Sequence, residues 1–433
     1  MREFLLKILK RILKVLARAV IHRYRPTIIG VTGNVGKTST KEAIRIVLSG
    51  ERRVRAPLKS FNNELGMPFT ILSESEFGAG LFFWCKTIVS GLSQLVLKNR
   101  AYPEILVLEY GVDKPGDMKY LLEIARPQIA LVTAIGEVPV HVEFFGGPEE
   151  LAREKSKLIS QLPSSGFAVL NADDAAVLRM KNDTRAKILT FGFSETADLT
   201  ISNFSNNFDS GEFGANFKLS QGGASVPVRL KNVLGKAQSY ATAGAAATGL
   251  IFDMNLIKIA EALAFYKPPA GRFRIIKGVK ESTIIDDTYN ASPLAMREAL
   301  TVLRDLPAQR KIAVLGDMLE IGEYTVETHE AIGRLAAEGV QMLITIGERG
   351  KFIAEAAKQS GFSKESIFVF ESVSEAGKFL QENIRVGDII LVKASQAVRL
   401  EKIVKEVMAE PNRAAEFLVR QNKEWLAKKG LYD

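Results

Sequence analysis

Cysteine and histidine are scarce in this chain. Its 433 residues include one cysteine, Cys85, and three histidines, His22, His141 and His329. A single cysteine excludes an internal disulfide and any cysteine-based zinc site, and it fits a reducing cytoplasm. Acid is almost missing from the first 25 residues, where Arg2, Lys7, Lys10, Arg11, Lys14, Arg18, Arg23 and Arg25 face Glu3 alone. That segment carries seven of the nine net positive charges. The body of the chain is therefore close to neutral and offers no basic groove for nucleic acid. Repeats and low-complexity stretches are absent as well.

No apolar run is clearly long enough to span a bilayer. Residues 80–97 come nearest, with Lys86 as their one charge before Leu97. They reach only the lower limit of about 18 residues. Leu81, Trp84, Ile88, Leu92 and Leu95 share a helical stripe there, which also fits a buried helix. Residues 4–21 mix apolar and basic positions. Phe4, Leu5, Ile8, Leu9, Ile12, Leu13, Leu16 and Val20 can share one helical face opposite Lys7, Lys10, Lys14 and Arg18. So many internal cations argue against a span, and cations inside the apolar stretch argue against a cleaved signal peptide. Two readings stay open: a helix lying on an anionic membrane surface, or one packed on its own domain or a partner.

What is present is ordinary in bulk and specific in detail. With 47% apolar and 25% charged residues, the chain reads as a globular protein of two or three domains. Thr27 to Thr32 is a β-branched run feeding the turn Gly33-Asn34-Val35-Gly36, then Lys37-Thr38-Ser39 and a helical pattern. Turn amides and a helix N-terminus bind phosphate, the glycines let backbone approach it, Lys37 supplies charge, and Thr38 can ligate Mg²⁺. ATP or GTP binding is the expectation. Buried-strand runs at 104–110, 129–133 and 167–171 alternate with helical stretches at 118–125 and 148–162, the signature of a parallel sheet flanked by helices. Residues 196–230 alternate with period two and predict an antiparallel meander, and 237–251 returns to helix. Tyr266-Lys267-Pro268-Pro269-Ala270-Gly271 reads as a boundary. Beyond it, strand runs at 282–287, 311–317, 341–347, 367–370 and 388–393 alternate with helices and predict a second doubly wound domain. Residues 411–433 read as a polar helical tail with Phe417, Leu418, Trp425 and Leu426 as its stripe. The expected division is a basic helix over 1–25, an ATP-binding domain over 26–267, a Rossmann-like domain over 268–410 and the tail. The fold class is α/β, with a P-loop domain of mainly parallel sheet ahead of the second domain.

Single residues add to this. Glu109 ends a buried strand, where ligands of open α/β sheets bind, and suits a Mg²⁺ ligand. His141 follows a strand in a loop, and Lys155 lies in a helix near Glu149, Glu150 and Glu154. Alone, these two read as a loop histidine and a solvated lysine.

Together with other motifs, the set resembles the Mur ligases, ATP-dependent amide-forming enzymes of cell-wall peptide synthesis, and most of all their D-alanyl-D-alanine-adding branch. The resemblance spans about residues 27–405. It rests on the phosphate loop; Asn62-Asn63-Glu64-Leu65-Gly66-Met67-Pro68; Leu108-Glu109-Tyr110-Gly111; Ile135-Gly136 with His141; Asn171-Ala172-Asp173-Asp174; Gly271-Arg272; Asp286 to Pro293; Leu315-Gly316-Asp317-Met318-Leu319-Glu320; and Val392-Lys393-Ala394-Ser395. It implies ATP and two Mg²⁺ ions as cofactors, with Thr38, Glu109, His141 and a CO₂-derived carbamate on Lys155 as metal ligands. It implies that Arg272 reaches the γ-phosphate and that Asp287, Tyr289 and Asn290 close over the nucleotide. It places Asn62 and Asn63 on the substrate side, and Lys393 and Ser395 near the incoming amine. Lys37, Glu109, His141, Lys155 and Arg272 would be the catalytic set.

The implied partners are a peptide carboxylate and an amino acid or dipeptide amine, acted on by a cytoplasmic monomer; the basic helix of residues 1–21 is the candidate for peripheral membrane contact. The chain departs from the family in three places. Its phosphate loop begins about 30 residues in, without room for the uridine-binding domain of members that use nucleotide-linked muropeptides. The adenine-side motif reads Gly235-Lys236-Ala237-Gln238-Ser239-Tyr240-Ala241, without the family's histidine and asparagines. Ala394 and Gln396 replace a glycine and an arginine. Folylpolyglutamate synthetases share the architecture, but their Gly-Lys-Gly-Ser and Asp-Gly-Ala-His-Asn motifs differ from those here. A membrane-associated nucleotide-binding scaffold without ligase activity is the alternative from another class.

Overall fold

The computed structural model describes residues 2–57, 60–73, 78, 80–97, 99–209 and 212–433. Two sheets organise them. The first contains β1 (Thr27–Thr32), β2 (Val54–Arg55), β3 (Ile105–Glu109), β4 (Ile129–Val132), β5 (Phe167–Asn171), β6 (Lys187–Gly192), β7 (Leu199–Asp209), β8 (Glu212–Gln221) and β9 (Ala224–Lys231). Their spatial order is β2-β3-β1-β4-β5-β6-β7-β8-β9, parallel from β2 to β7 and antiparallel through the β7-β8-β9 meander. The second contains β10 (Arg274–Lys277), β11 (Thr283–Asp286), β12 (Lys311–Gly316), β13 (Met342–Ile346), β14 (Ile367–Phe370) and β15 (Ile389–Lys393), ordered β10-β11-β15-β12-β13-β14 with only β10 antiparallel.

β3, β4, β13 and β15 are buried along their whole length, which is why they read as continuous apolar runs rather than alternations. Among the described residues, nine helices accompany the first sheet: α1 (Arg2–Tyr24), α2 (Lys37–Ser49), α3 (Gly66–Leu72), α4 (Leu81–Val96), α5 (Asp117–Ile124), α6 (Pro148–Ser160), α7 (Ala175–Arg179), α8 (Lys236–Ile251) and α9 (Leu256–Leu263). On one face, residues of α1, α3, α5 and α6 form a core with Leu106, Leu108, Ala130 and Val132. On the other, α2 and α8 pack with Ile29, Val107, Leu131 and Val169. β1 lies between β3 and β4, so the strand order reverses there and opens a crevice at the carboxyl end of β1.

Two expected helices differ from their reading. α1 does not present one apolar face. Leu13, Leu16, Ala17 and Val20 enter the core, while Phe4, Leu5, Ile8, Ile12 and Val15 point outward. Lys10 and Lys14 do not stand free opposite an apolar face, because they pair with Glu64 and Glu123 along the docked edge. The reason is periodicity: apolar residues occupy both sides of the helix, so docking one side leaves the other uncovered. Nor is the C-terminal tail one helix. It holds a 3₁₀ turn at Pro411–Arg413 and two single-turn helices, Ala414–Phe417 and Lys423–Leu426. Arg420 between them has a left-handed backbone (φ 60°), which a continuous helix cannot contain.

Candidate active site

The phosphate loop is held in shape from β4. Asn34 N–H donates to the Ala134 carbonyl at 2.6 Å, and Thr133 Oγ1 donates to the carbonyls of Val35 (2.6 Å) and Thr32 (3.1 Å). Gly33 sits at φ 138°, and a Cβ there would lie 2.0 Å from Thr133 Oγ1. Only glycine fits both constraints. Gly36 caps α2 with φ 87°, so the amides at the start of α2 open toward the crevice. Lys37 Nζ arches back to the carbonyls of Gly33 (2.8 Å) and Asn34 (3.4 Å), which places its charge over the loop. Ser39 is buried one residue beyond Thr38.

Glu109, at the end of β3, meets this loop. Its carboxylate accepts from Thr38 Oγ1 at 3.2 Å and from Ser60 Oγ at 2.8 Å, and Lys41 Nζ stands 3.5 Å away. Burial pushes the Glu109 carboxyl up, but Lys41 and Lys37 outweigh it and hold the group below its ordinary value, hence ionised. An ionised carboxylate touching a hydroxyl beside a phosphate loop is an oxygen donor set suited to Mg²⁺, which takes one or two protein oxygens and completes its shell from phosphate and water.

His141 and Lys155 lie on the other flank. His141 has a left-handed backbone (φ 73°). Its Nδ1 is 2.6 Å from the carboxylate of Glu320, and its Nε2 is 3.4 Å from that of Asp113. Glu320 follows β12, so this imidazole joins the two sheet systems. Lys155, on α6, is 1% exposed. Its amine is held far below the usual lysine range, first by burial and then by repulsion from Lys37, with Asp113 and Glu154 opposing. Among the described residues, no three His, Cys, Asp or Glu side chains converge as a metal cluster.

Arg272 approaches from the second sheet's side. Its carbonyl accepts from Gln238 Nε2 of α8 at 3.2 Å, the next residue's amide donates to Asp287 Oδ1 at 3.1 Å, and its guanidinium stacks on the Tyr289 ring at 3.9 Å. Its charge acts on Lys37, Lys41 and Glu109 alike, so it faces the same crevice. Arg272 Nε is buried without a hydrogen-bond partner among the described residues. A cation so poorly satisfied invites an anion. Lys393, also buried, donates to Asp287 Oδ2 (2.5 Å) and the Asn290 carbonyl (2.9 Å), and Ser395 Oγ accepts from the Leu319 amide at 2.9 Å. Asp287 and Asn290 are thus braced by Lys393. Asn62 packs against Gly111 and accepts its amide at 2.9 Å through its carbonyl. The Asn63 side chain accepts from the amides of Leu65 (3.2 Å) and Gly66 (2.9 Å), which shapes the loop into α3.

A cleft of about 530 Å³ opens beside Gly36, lined by Thr133, Asn171, Asp173, Tyr240 and Arg297 among others. Tyr240 donates to Asp173 at 2.8 Å, where the expected adenine-side motif falls.

Four contributors were not singled out from the sequence: Lys41, Ser60, Asp113 and Arg420. Lys41 follows Lys37 by one helical turn, a spacing that could have exposed it. The others meet the site only through long-range contacts. Arg420 belongs to the tail, donates to the carbonyls of Tyr289 (2.5 Å) and Thr288 (3.3 Å), and pairs with buried Glu401 at 3.0 Å. It therefore backs the ring on which Arg272 stacks. Arg420→Ala is expected to destabilise the protein by roughly 3 kcal/mol, because Glu401 loses one of two arginine partners in a buried setting. Thermal denaturation would show this as a lowered Tm, and a lowered kcat at temperatures where the variant stays folded would show the effect on Arg272.

The geometry agrees with comparison to known proteins. Residues 86–249 match the Mur ligase middle domain and residues 271–396 the Mur ligase glutamate ligase domain. A UDP-N-acetylmuramoyl-tripeptide–D-alanyl-D-alanine ligase of Bacillus subtilis is 30% identical over 403 residues, covering 92% of this chain and 79% of the relative. The Mycobacterium tuberculosis protein of the same name is 33% identical over 407 residues, covering 89% and 73%. The crystal structure of Thermotoga maritima MurF ligase in complex with ADP superposes with a TM-score of 0.76 at 27% identity, covering 94% of this chain and 84% of that one. With two mainly parallel sheets, a phosphate loop at the end of β1 and relatives aligned over about nine-tenths of its length, the chain belongs to the Mur ligase family.

Proposed function

We propose that this protein is an ATP-dependent, ADP-forming peptide ligase that joins a cell-wall precursor peptide carboxylate to the amine of D-alanyl-D-alanine. The observation that carries the reading is the placement of Arg272 within electrostatic reach of both Lys37 and Glu109, each supplied by a different element. A carboxylate is a poor electrophile. Its oxygen attacks the γ-phosphorus of ATP, the bond from that phosphorus to the β–γ bridging oxygen breaks, and ADP departs. The amine then attacks the carbonyl carbon of the acyl phosphate, the carbon–oxygen bond breaks, and inorganic phosphate leaves as the amine loses a proton. Lys37 and Arg272 bear on the transferring phosphoryl group, where charge spreads over its equatorial oxygens.

Thr38 and Glu109 would hold one Mg²⁺ beside the phosphates. His141 and Lys155, the latter as a carbamate, would hold a second near the carboxylate substrate. The metal supplies charge neutralisation at the phosphoryl and carboxylate oxygens. Asn62, Asn63, Lys393 and Ser395 line the two substrate sides in this reading. Asp287, Tyr289 and Asn290 keep Arg272 aimed. A single chain supplies every residue named, which fits a monomer in the cytoplasm, peripheral on the inner membrane face through residues 1–21.

Phosphate release from ATP by the purified chain tests the reading. It should require both D-alanyl-D-alanine and an acceptor, with UDP-linked tripeptide, shorter and lipid-linked acceptors compared side by side. Amide product should form one for one with phosphate. Nucleotide binding without acceptor-dependent release would instead identify a scaffold.

A further inference from the structure

We propose that α1 and α4 together form a docking surface for an anionic lipid bilayer, which extends the peripheral contact of residues 1–21 to a second helix. The two helices lie side by side over the same core: Trp84, Ile88 and Leu95 of α4 and Leu9, Ile21 and Tyr24 of α1 pack against it. The Tyr24 hydroxyl donates to the Gln94 carbonyl at 2.9 Å and its ring stacks on Tyr102 at 4.1 Å, which fixes the pair. The faces turned away from that core are apolar. On α1 they expose Phe4 (66%), Leu5 (59%) and Val15 (59%), with Ile8 and Ile12 between. On α4 they expose Phe82 (85%), Val89 (63%) and Val96 (77%), with Leu92 on the same stripe. The spacings 8, 12, 15 and 82, 89, 92, 96 are one helical face each. The side chain of Leu81, the first residue of the expected stripe, lies outside the described residues.

Charge identifies the occupant. Lys7, Arg11, Arg18 and Lys86 are exposed beside these stripes. The only acid in residues 1–25 is Glu3, and residues 80–103 have none. Lys10 and Lys14 are already neutralised by Glu64 and Glu123 on the protein-facing edge, whereas Lys7, Arg11, Arg18 and Lys86 have no ion-pair partner among the described residues. A second copy meeting this face symmetrically would oppose cation to cation. Anionic headgroups satisfy the cations while acyl chains cover the apolar stripes. Neither helix is long and apolar enough to cross the membrane, so both lie in its plane. The Lys10–Glu64 pair ties this surface to the Asn62–Asn63 loop, on the substrate side of the proposed site.

The test uses the full chain and sedimentation with vesicles of phosphatidylcholine, with or without phosphatidylglycerol. Binding to the anionic vesicles should exceed binding to the neutral ones by about tenfold and weaken as salt is raised. The double substitution Val15→Asp, Val89→Asp changes two exposed side chains outside the catalytic machinery. It should return the protein to the supernatant with an unchanged circular dichroism spectrum and unchanged phosphate release on soluble substrates. Wild-type protein that stays in the supernatant with both vesicle types overturns the proposal. So does a dimer in sedimentation equilibrium that the double substitution splits, because a second copy would then cover the face. Ligase activity is read separately, so failure here leaves the catalytic reading standing.

Discussion

Arg272→Ala is expected to lower acceptor-dependent phosphate release by about 10³-fold or more while leaving ATP affinity near that of the wild type. The size follows from what the side chain does. A guanidinium that meets charge developed only in the transition state lowers kcat, whereas one that merely binds the ground-state nucleotide raises KM. The proposed role of Arg272 is the first. Its backbone is gripped from both sheet systems, by Gln238 at its carbonyl and by Asp287 at the following amide. Its plane rests on Tyr289, and one of its nitrogens has no partner among the described residues. Much of its side-chain ordering is therefore in place before substrate arrives. Arg272→Lys should recover little, because an ammonium cannot stack on Tyr289 and present a planar fork at once. Steady-state kinetics with a separate nucleotide-binding measurement decides the matter. A loss carried wholly by weaker ATP binding would remove Arg272 from the transition state.

This placement explains what could be read from residues alone. The phosphate loop was legible because its glycines answer to a local demand, a positive φ and a missing Cβ, that no other residue meets. The parallel strands were legible because burial on both faces leaves unbroken β-branched runs. Phe167–Asn171 and Ile367–Phe370 fall where those runs predict, and the other strands read from such runs begin and end within about a residue of them. β2, only two residues long, β6, exposed over its first residues, and β10 were not singled out. The meander at β7 to β9 showed as period-two alternation. The tail did not read correctly, since its Phe417, Leu418, Trp425 and Leu426 pattern suits a helix, yet Arg420 has stronger partners in Glu401 and the Tyr289 carbonyl than helix continuation supplies. Ser60 and Asp113 were invisible for a similar reason. Ser60 acts through Glu109, and Asp113 through His141 and the charges of Lys37 and Lys155, and neither leaves a trace in local spacing. α1 and α4 were ambiguous because their composition fits burial and membrane contact equally, and the structure puts each helix half in the core and half out.

Lys155 is where local and long-range information conflict most. On sequence grounds it is a solvated helix lysine. In the fold it is buried, and burial together with Lys37 pulls its amine toward the neutral form. A protonated lysine so placed would repel Lys37 and any bound cation. A neutral amine can instead attack CO₂, lose a proton and become a carbamate, which converts a misplaced positive charge into an oxygen ligand. The sign of the shift sets the pH window: because the amine's pKa is lowered, the neutral form is available at lower pH than for an exposed lysine, and CO₂ uptake should rise with pH through that lowered value. Lys155→Ala is therefore expected to cut turnover by about 10²–10³-fold, the equivalent of several kcal/mol of charge stabilisation. Lys155→Arg should be no better, since arginine stays charged and forms no carbamate. Acetate or formate should partly restore the alanine variant by placing a carboxylate in the vacated space. Carbon-13 NMR of the wild type in labelled bicarbonate should show one carbamate resonance that the alanine variant lacks. Full activity in CO₂-free buffer, with no such resonance, would require Lys155 to act as a plain amine, and the second metal position would then need another ligand.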